Sequence, residues 1–375
     1  MTSFKNGNIY TEEFHFVPGN FSIENGKFVN VLGLASNDAI DLKGKKIIPG
    51  LIDIHTHGNS GYDFSEVTYE GLKESSRYYA RNGITSFAPT SLTVPFEQLQ
   101  NAYRIARQVH EDNEEGLSHI RGINMEGPFF NPNRKGAQNA AHLQLPNYEA
   151  FKKLNDASGD LIKIVDIAPE LDGSMEFIKK VSKQITVSVA HTDCTYEDAL
   201  KAFDSGASQL THLFNAMPGI HHRKPGPIIA AYEKNNVMLE IIGDGHHIHP
   251  AIIRFAFKIF GAERMILVSD SLRCCGMPDG TFNLGGLTAY ISNGVAKLDD
   301  GTLAGSMTNL YECLKRVIAF GISEEDAIRA ATYNPAKQLD CLSETGSIRD
   351  GKNADFLILS ESLDLESVYI DGKKI

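Results

Sequence analysis

Two histidines one residue apart, His55 and His57, follow an apolar run at positions 47–54 of the sequence. Side chains alternate between the two faces of a strand, so Asp53, His55 and His57 are predicted to point in the same direction. Neutral imidazole nitrogen is a good ligand for borderline divalent ions such as zinc. The spacing therefore indicates a metal site at the end of a strand, with ordinary polar strand-end residues as the alternative.

Residues that ligate metals or move protons recur at the ends of later predicted strands. In chain order they are Glu126, His191, His212, the Gly-His-His loop at 245–247 and Asp270. Each residue alone has an ordinary explanation, such as a hydrogen-bonded core histidine or a helix cap. Their joint occurrence at strand ends favours a metal-dependent catalytic site.

The elements that must position these residues alternate along the middle of the chain. Strands are predicted at 47–57, 84–89, 120–126, 162–168, 185–191, 209–214, 237–243 and 265–270. Helices are predicted at 68–82, 95–111, 148–156, 175–183, 196–206, 228–235, 250–260, 307–320 and 323–332. This alternation predicts an α/β fold, a (β/α)8 TIM-like barrel whose active site lies at the carboxyl ends of the strands.

Both ends of the sequence are rich in short strand-like pieces and turn signals, such as Asp350-Gly351 and Asp371-Gly372. Residues 1–46 and 336–375 are therefore predicted to form one small β-sandwich domain. The barrel is expected to span 47–335, with a turn-rich β insertion at about 272–303.

The composition bounds the class of protein. The chain has 375 residues, 42% hydrophobic and 22% charged, which is typical of a folded protein with a large core. A formal net charge of -11 argues against general binding to nucleic acid or to an anionic membrane. The sequence shows neither an apolar signal core nor a stretch of transmembrane length. The five cysteines match no disulfide or zinc-ribbon spacing, so we expect reduced thiols and a cytoplasmic protein.

Several longer motifs make the interpretation more specific. They are Met-Glu-Gly-Pro-Phe at 125–129, Thr-His-Leu-Phe-Asn-Ala-Met at 211–217, Gly-Asp-Gly-His-His at 243–247, Pro-Asp-Gly at 278–280, Leu-Gly-Gly at 284–286 and Leu-Ala-Gly-Ser at 303–306. With His55, His57 and Asp270, these motifs resemble the amidohydrolase superfamily and, within it, the N-acetylglucosamine-6-phosphate deacetylases. The resemblance covers nearly the whole chain, including the small β domain.

The resemblance implies a divalent metal centre with one or two ions per subunit. Strand four lacks the carboxylated lysine of many amidohydrolases, and Glu126 is expected to supply the missing carboxylate. The tighter of the two implied metal sites consists of Glu126, His191 and His212. The second consists of His55 and His57. Zinc is the expected ion, with iron, manganese or cobalt as alternatives.

The implied chemistry is hydrolysis of an acetamide. A divalent ion lowers the pKa of its bound water from about 15.7 toward about 7, which supplies a hydroxide nucleophile near neutral pH. Asp270, which also lies among the metal ligands, is expected to take the proton of the water and to deliver it to the amine. The resemblance places His247 near the carbonyl oxygen, where it would stabilise the developing negative charge.

The substrate contacts are also carried over by resemblance. Arg223, in the pattern Arg-x-Pro-Gly, matches the phosphate-contacting arginine of the family, and the planar guanidinium suits a phosphate. The alternative is that Arg223 belongs to a solvated charged loop. The other expected substrate contacts are Ala137, Gln138, Asn215, Ala216, Asp244, His247, Leu303, Ala304 and Gly305.

The expected activity converts N-acetylglucosamine 6-phosphate to glucosamine 6-phosphate and acetate, in a homodimer in which Arg223 can act across the interface. Three other functions stay open: the same reaction on the galactosamine epimer, hydrolysis of a cyclic amide or N-acyl amino acid, and a catalytically inactive scaffold or sensor. The complete set of metal ligands argues against an inactive scaffold or sensor. The missing lysine on strand four and the basic residues around Arg223 argue against a cyclic amide or N-acyl amino acid as the substrate.

Overall fold

A ring of parallel strands occupies the middle of the computed structural model, which describes all residues from Met1 to Ile375. Its strands are Leu51–Thr56, Ile84–Pro89, His119–Ile120, Ile123–Met125, Ile162–Ile167, Thr186–Val189, Gln209–Leu210, Met238–Ile242 and Met265–Val268. Parallel bridges from Thr90 to Asn124 and from Thr56 to Ser271 join the two sheets of this ring. The predicted TIM-barrel-type fold is confirmed.

Helices separate the strands at nearly all of the predicted positions. They are Tyr69–Arg81, Phe96–Asp112, Tyr148–Ser158, Ser174–Val181, Tyr196–Asp204, Gly226–Tyr232, Pro250–Phe260, Leu310–Ala319, Glu324–Ala331 and Tyr333–Gln338. The helix that begins at Tyr196 has a capping box, because Thr195 and Asp198 exchange side-chain and backbone hydrogen bonds. None of the helices has the length and apolar character needed to cross a membrane.

The segment 47–57, predicted as one strand, is two strands in the structure. Lys46–Pro49 pairs with strands from both ends of the chain, whereas Leu51–Thr56 belongs to the barrel. Between them, Gly50 lies so close to Thr85 that a β-carbon would be 2.1 Å from the threonine Oγ1. The chain therefore passes from one sheet to the other at a residue that has no side chain.

The two ends of the chain meet in one sheet. Its eight strands are Thr2–Tyr10, Phe16–Glu24, Lys27–Val29, Ile40–Asp41, Lys46–Pro49, Phe356–Leu359, Leu365–Ile370 and Lys373–Lys374. The sheet encloses its own core, in which Phe356 packs against Phe4, Phe21 and Tyr369. The hydrogen bonds form a single continuous sheet, and a sandwich of two layers stays a prediction.

An ionic cluster connects this sheet to the barrel. His119 Nε2 lies 3.0 Å from Asp371 Oδ2, and Arg121 Nη1 lies 2.6 Å from a carboxylate oxygen of Glu344. The Arg121 guanidinium also approaches Asp355 to 3.9 Å. His119, Asp355 and Asp371 are close enough to share an ion, but the arginine already supplies positive charge to them. We interpret the cluster as a structural contact between the two parts of the chain.

A small antiparallel sheet follows the last barrel strand, in the region of the predicted insertion. It consists of Gly280–Leu284, Leu287–Ser292 and Val295–Leu298. The turn between its first two strands reaches the loop after strand three, where the Asn139 side-chain amide donates to the Gly285 carbonyl at 3.1 Å. The insertion therefore lies over the carboxyl ends of the barrel strands.

Candidate active site

A cavity of about 230 Å³ opens at the carboxyl ends of the barrel strands. Its lining residues are His57, Leu92, Glu126, Gly136, Ala137, Gln138, His191, His212, Asn215, Ala216, His247, Asp270, Leu272, Leu284, Thr302, Leu303, Ala304 and Gly305. Most of the residues proposed from sequence therefore meet in one place. His55 is fully buried and does not line the cavity, but its Nε2 lies 3.4 Å from Glu126 Oε1.

Glu126 is the centre of the cluster of ligand-type side chains. Its Oε1 lies 3.2 Å from both His191 Nε2 and His212 Nε2, and 3.4 Å from His55 Nε2. Its Oε2 lies 3.3 Å from His57 Nε2. Two groups that could each hold a metal ion, one with His55 and His57 and one with His191 and His212, therefore share this carboxylate.

The arrangement fits a metal better than it fits hydrogen bonds among the residues alone. The Nε2 atoms of His191 and His212 face each other at 3.2 Å, although a neutral imidazole carries only one proton. His55 Nε2 is buried and has no hydrogen-bond partner. Imidazole and carboxylate donors at this spacing are the ligands of zinc and related ions. The residues present therefore fit a divalent metal centre.

The strands deliver these ligands through unusual backbone conformations. His191, His212 and Asp270 have φ values of 43°, 29° and 48°, in the left-handed region that residues other than glycine rarely adopt. Each of these three residues follows the end of its strand, and its left-handed conformation turns the side chain into the cavity. Local strain of this kind is common at functional sites, where the surrounding structure holds it in place.

The electrostatics of the cluster favour ionised carboxylates. Burial alone would raise the pKa of Glu126, but the His55, His191 and His212 imidazoles hold that pKa well below its usual range. Burial likewise opposes ionisation of Asp270, and the hydrogen bond from His57 outweighs it and lowers the Asp270 pKa. The negative charge that a divalent ion needs is therefore present at neutral pH.

Asp53 does not join the ligands, and the prediction that it points with His55 and His57 is wrong. Its carboxylate accepts hydrogen bonds from the Ser269 hydroxyl at 2.5 Å and from the His55 backbone N–H at 3.3 Å. The strand is irregular between Asp53 and Thr56, which breaks the simple alternation of faces. Burial raises the pKa of Asp53 to about 7.

Gln138 lines the cavity, but its side-chain amide is already engaged. The Nε2 atom donates to Glu126 Oε2 at 2.7 Å, and the Oε1 atom accepts from the Thr93 backbone N–H at 2.7 Å. Gln138 therefore fixes the orientation of the shared carboxylate. The sequence suggested a sugar contact and missed this contact with Glu126.

His247 lies on the opposite wall, between two acceptors. Its Nδ1 is 2.7 Å from Asp244 Oδ2, and its Nε2 is 2.7 Å from the Ala304 carbonyl oxygen. Burial would lower the pKa of His247, but the hydrogen bond to Asp244 outweighs it and raises the pKa. Asp244 also accepts the backbone N–H groups of His246 and His247, so it supports the loop rather than lining the cavity.

The remaining wall comes from two loops. Asn215 and Ala216 follow strand six, and the Ala216 carbonyl accepts the Thr192 backbone N–H at 3.1 Å. Leu303, Ala304 and Gly305 follow the insertion and face them across the cavity. A β-carbon at Gly305 would lie 2.6 Å from the Asp270 carbonyl oxygen and 2.9 Å from its Oδ1. Only glycine allows this loop to contact Asp270 so closely.

Arg223 lies outside the cavity of its own chain. It is exposed in the loop before the helix Gly226–Tyr232, and its Nη1 lies 2.7 Å from His222 Nε2. The rings of His221 and His222 are 4.4 Å apart beside it. The structure thus separates the expected phosphate contact from the other candidate residues of the same chain.

Glu240 is a buried residue of the site that the sequence analysis missed. It lies in the strand Met238–Ile242 and has no exposed surface, and its Oε2 is 2.9 Å from His55 Nδ1. A carboxylate in the middle of an otherwise apolar predicted strand was the available signal, because charged residues are almost never fully buried without a partner.

Comparison with known proteins agrees with this site. Residues 47–375 match the family model described as the amidohydrolase family. The chain belongs to the amidohydrolase family.

Individual amidohydrolases extend the match over most of the chain. N-acetylglucosamine-6-phosphate deacetylase of Bacillus subtilis (strain 168) is 36% identical over 323 residues, which cover 85% of this chain and 82% of the relative. N-acetylgalactosamine-6-phosphate deacetylase of Escherichia coli O157:H7 is 31% identical over 329 residues, covering 87% of each. The resemblance to this group of amidohydrolases is confirmed.

A solved amidohydrolase structure has the same overall fold. It is a variant of N-acetyl-D-glucosamine-6-phosphate deacetylase from Mycobacterium smegmatis, in complex with N-acetyl-D-glucosamine-6-phosphate. The two chains superpose with a TM-score of 0.92 at 30% identity, over 100% of this chain and 99% of the other. The superposition includes the terminal sheet as well as the barrel.

We predict that Gly305→Ala lowers kcat by about 10²-fold, because its β-carbon would displace the Asp270 carboxylate, and misplacement of about 1 Å can cost that much. Steady-state kinetics on N-acetylglucosamine 6-phosphate measure the change. Gly280→Ala is the matched control, since its β-carbon would meet only Phe282 at an ordinary 3.6 Å. Equal kcat values for the two variants would show that Asp270 tolerates the displacement.

Proposed function

We propose that this protein hydrolyses the acetamide of N-acetyl-D-glucosamine 6-phosphate to give D-glucosamine 6-phosphate and acetate. The observation that carries the proposal is Glu126, a buried carboxylate shared by two histidine pairs at the base of a cavity that also contains Asp270 and His247. Relatives named for this reaction match most of the chain.

We assign the two groups of ligands to two ions. Glu126, His191 and His212 would hold one, and His55 and His57 would hold the other, with Glu126 shared between the two groups. A bound divalent ion would polarise the acetyl carbonyl and would lower the pKa of water. Zinc is the proposed ion because imidazole dominates the donor set, and iron, manganese or cobalt are alternatives.

Asp270 is the proposed general base and acid. It is ionised, its Oδ1 lies 3.2 Å from His57 Nε2, and it lines the cavity. Its carboxylate would accept a proton as water attacks the acetyl carbon. The same proton would then pass to the amine nitrogen as the carbon–nitrogen bond breaks.

His247 is the proposed donor to the acetyl oxygen. Asp244 holds its Nδ1 and favours the protonated ring, so Nε2 carries a proton that can be donated into the cavity. On substrate binding, this N–H would exchange the Ala304 carbonyl for the oxygen that gains negative charge. Such a donor typically contributes about 10²–10³ in rate.

We propose that the protein is a homodimer in which Arg223 binds the phosphate of the partner's substrate. An apolar surface on which Ile220, Ile252 and Phe255 are exposed flanks the Arg223 loop, and exposed apolar groups of this kind favour burial against another chain. Arg223 is too far out to line its own cavity, which is consistent with action across an interface.

A second candidate substrate is N-acetylgalactosamine 6-phosphate. The relative from Escherichia coli O157:H7 is named for that epimer and is nearly as similar as the relatives named for the glucosamine sugar. The two sugars differ in the orientation of one hydroxyl group, so the same metal and proton-transfer groups would serve both.

Two proposals concern the context of the site. All five cysteines are free and buried, which supports a reducing, cytoplasmic location. We also propose that 1–46 and 336–375 act as one small β-sandwich domain beside the barrel at 47–335. The core around Phe356 supports this division, but the strand Lys46–Pro49 belongs to the terminal sheet, so the barrel begins after Gly50.

We predict chelator-sensitive release of acetate from the 6-phosphosugars only. The panel is N-acetylglucosamine, its 6-phosphate, N-acetylgalactosamine 6-phosphate and an N-acetyl amino acid, each with and without chelator. The ratio of kcat/KM between the two phosphorylated epimers identifies the substrate. Equal turnover of the unphosphorylated sugar would contradict the phosphate contact, and turnover that survives metal removal would contradict the metal site.

For Asp270→Asn we predict a loss of about 10²–10⁴-fold in kcat, because the amide keeps the shape of the carboxyl group but cannot carry the proton. The metal content, measured by mass spectrometry, is expected to stay close to that of the wild type. This measurement separates lost proton transfer from a lost ligand. Unchanged turnover would remove Asp270 from its proposed role.

The action of Arg223 across the interface predicts complementation between inactive variants. Arg223→Ala and Asp270→Asn subunits, each nearly inactive at low substrate concentration, are unfolded, mixed and refolded. Random dimers would recover about a quarter of wild-type activity, because half of them are mixed and each mixed dimer has one complete site. No recovery, with mixed dimers demonstrated by mass spectrometry, would place Arg223 in its own subunit's site.

A further inference from the structure

Glu240 is held at the base of the site by three hydrogen bonds. Its Oε2 accepts from His55 Nδ1 at 2.9 Å and from the His212 backbone N–H at 3.3 Å. Its Oε1 accepts from the Gln209 side-chain amide at 2.6 Å. No part of Glu240 is exposed, so these contacts replace the water that a carboxylate loses on burial. Glu240 itself does not line the cavity and is not one of the ligand-type groups that could share an ion.

His55 differs from the other ligand histidines in this respect. The Nδ1 atoms of His57 and His191 rest on backbone carbonyl oxygens, those of Thr90 and Arg134, at 3.1 Å and 2.9 Å. His212 Nδ1 has no hydrogen-bond partner. Among the proposed metal ligands, His55 is the one whose second ring nitrogen contacts a carboxylate. A full negative charge behind an imidazole makes the opposite nitrogen a stronger donor to a metal than a carbonyl does.

The ring of His55 is therefore fixed in one orientation. When Nδ1–H donates to Glu240, the neutral imidazole has a bare lone pair on Nε2. That nitrogen faces only carboxylate oxygens, 3.4 Å away on Glu126 and 3.7 Å away on Asp270. Burial would lower the pKa of His55, but the Glu240 and Glu126 carboxylates outweigh it and raise that pKa well above its usual value. A cation bound at Nε2 would take the place of the proton. The hydrogen bond from His55 to Glu240 therefore directs His55 Nε2 toward the position where a cation would be bound.

We propose that Glu240 is a positioning residue that sets the affinity of the second metal position, the one formed by His55 and His57. It acts by holding the tautomer and the orientation of His55 and by adding negative charge behind the ring. This inference rests on the proposed metal-dependent function and adds to it a residue that controls how many ions the site holds.

Asp166 provides a matched control three strands away in the same sheet. It is also fully buried, and its Oδ1 accepts from the Thr211 hydroxyl at 2.8 Å, but it contacts no ligand imidazole. Burial raises the pKa of Asp166 well above its usual value, and its Oδ2 has no hydrogen-bond partner. The raised pKa favours the neutral acid, which asparagine resembles in both shape and charge.

The test measures metal affinity directly. Metal-free wild-type protein, Glu240→Gln and Asp166→Asn are titrated with Zn²⁺ against a chromophoric chelator, and two dissociation constants are fitted. In Glu240→Gln, the weaker constant is expected to rise by about 10–100-fold, the usual cost of losing such an outer partner. The tighter constant, and both constants of Asp166→Asn, are expected to stay within about twofold of the wild type.

The outcomes separate this inference from the proposed function. Two unchanged constants in Glu240→Gln would overturn the inference and leave the metal-dependent reaction intact, as would an equal loss at both positions. Wild-type protein that binds no Zn²⁺ would overturn both.

A milder variant serves if Glu240→Gln does not fold. Gln209→Met removes the hydrogen bond to Glu240 Oε1 and keeps the carboxylate, and it also deletes a buried amide oxygen that has no partner. The weaker constant is expected to rise by about threefold to tenfold, because one charged hydrogen bond is lost. An unchanged weaker constant in a folded Gln209→Met protein would overturn the inference.

Discussion

Burial of carboxyl groups is the constraint on which the rest of the structure depends. Glu126, Glu240 and Asp270 lie within the barrel, where an unpaired charge is costly. Imidazole or amide groups contact each carboxyl group and compensate its charge. Without these partners, the buried charge would be unfavourable. The barrel supplies the partners from several strands, and Gln138 completes the set by holding the outer oxygen of Glu126. An ion between them would balance a site that is otherwise rich in acceptors.

The backbone makes a second contribution that side-chain chemistry alone would not reveal. His191, His212 and Asp270 are left-handed residues at the ends of their strands, and each such residue costs roughly 1–3 kcal/mol. Backbone hydrogen bonds of each strand fix the chain before the strained residue, and the following loop fixes the chain after it. The same rigidity explains why the candidate ligand atoms lie 3 to 4 Å apart.

Much of this could be predicted from the sequence, because the periodic alternation of strands and helices and the short motifs are local signals. His55, His57, Glu126, His191 and His212 lie together as expected. The remaining features depend on contacts between distant segments. The close approach of Thr85 to Gly50 splits one predicted strand, and the irregular strand around Asp53 turns its carboxylate away. Similarly, the pairing of Glu240 with His55 joins residues 185 positions apart.

The terminal sheet has a consequence for the order in which the protein is built. The strand Lys46–Pro49 lies between Thr2–Tyr10 and Phe356–Leu359, and it leads directly into the first barrel strand. During synthesis, its outer edge has no partner until residues 356–359 have been made, more than 300 residues later. Such an unpaired edge is a site for wrong pairing with other chains. The nascent chain therefore carries an open strand beside His55 and His57 until residues 356–359 have been made.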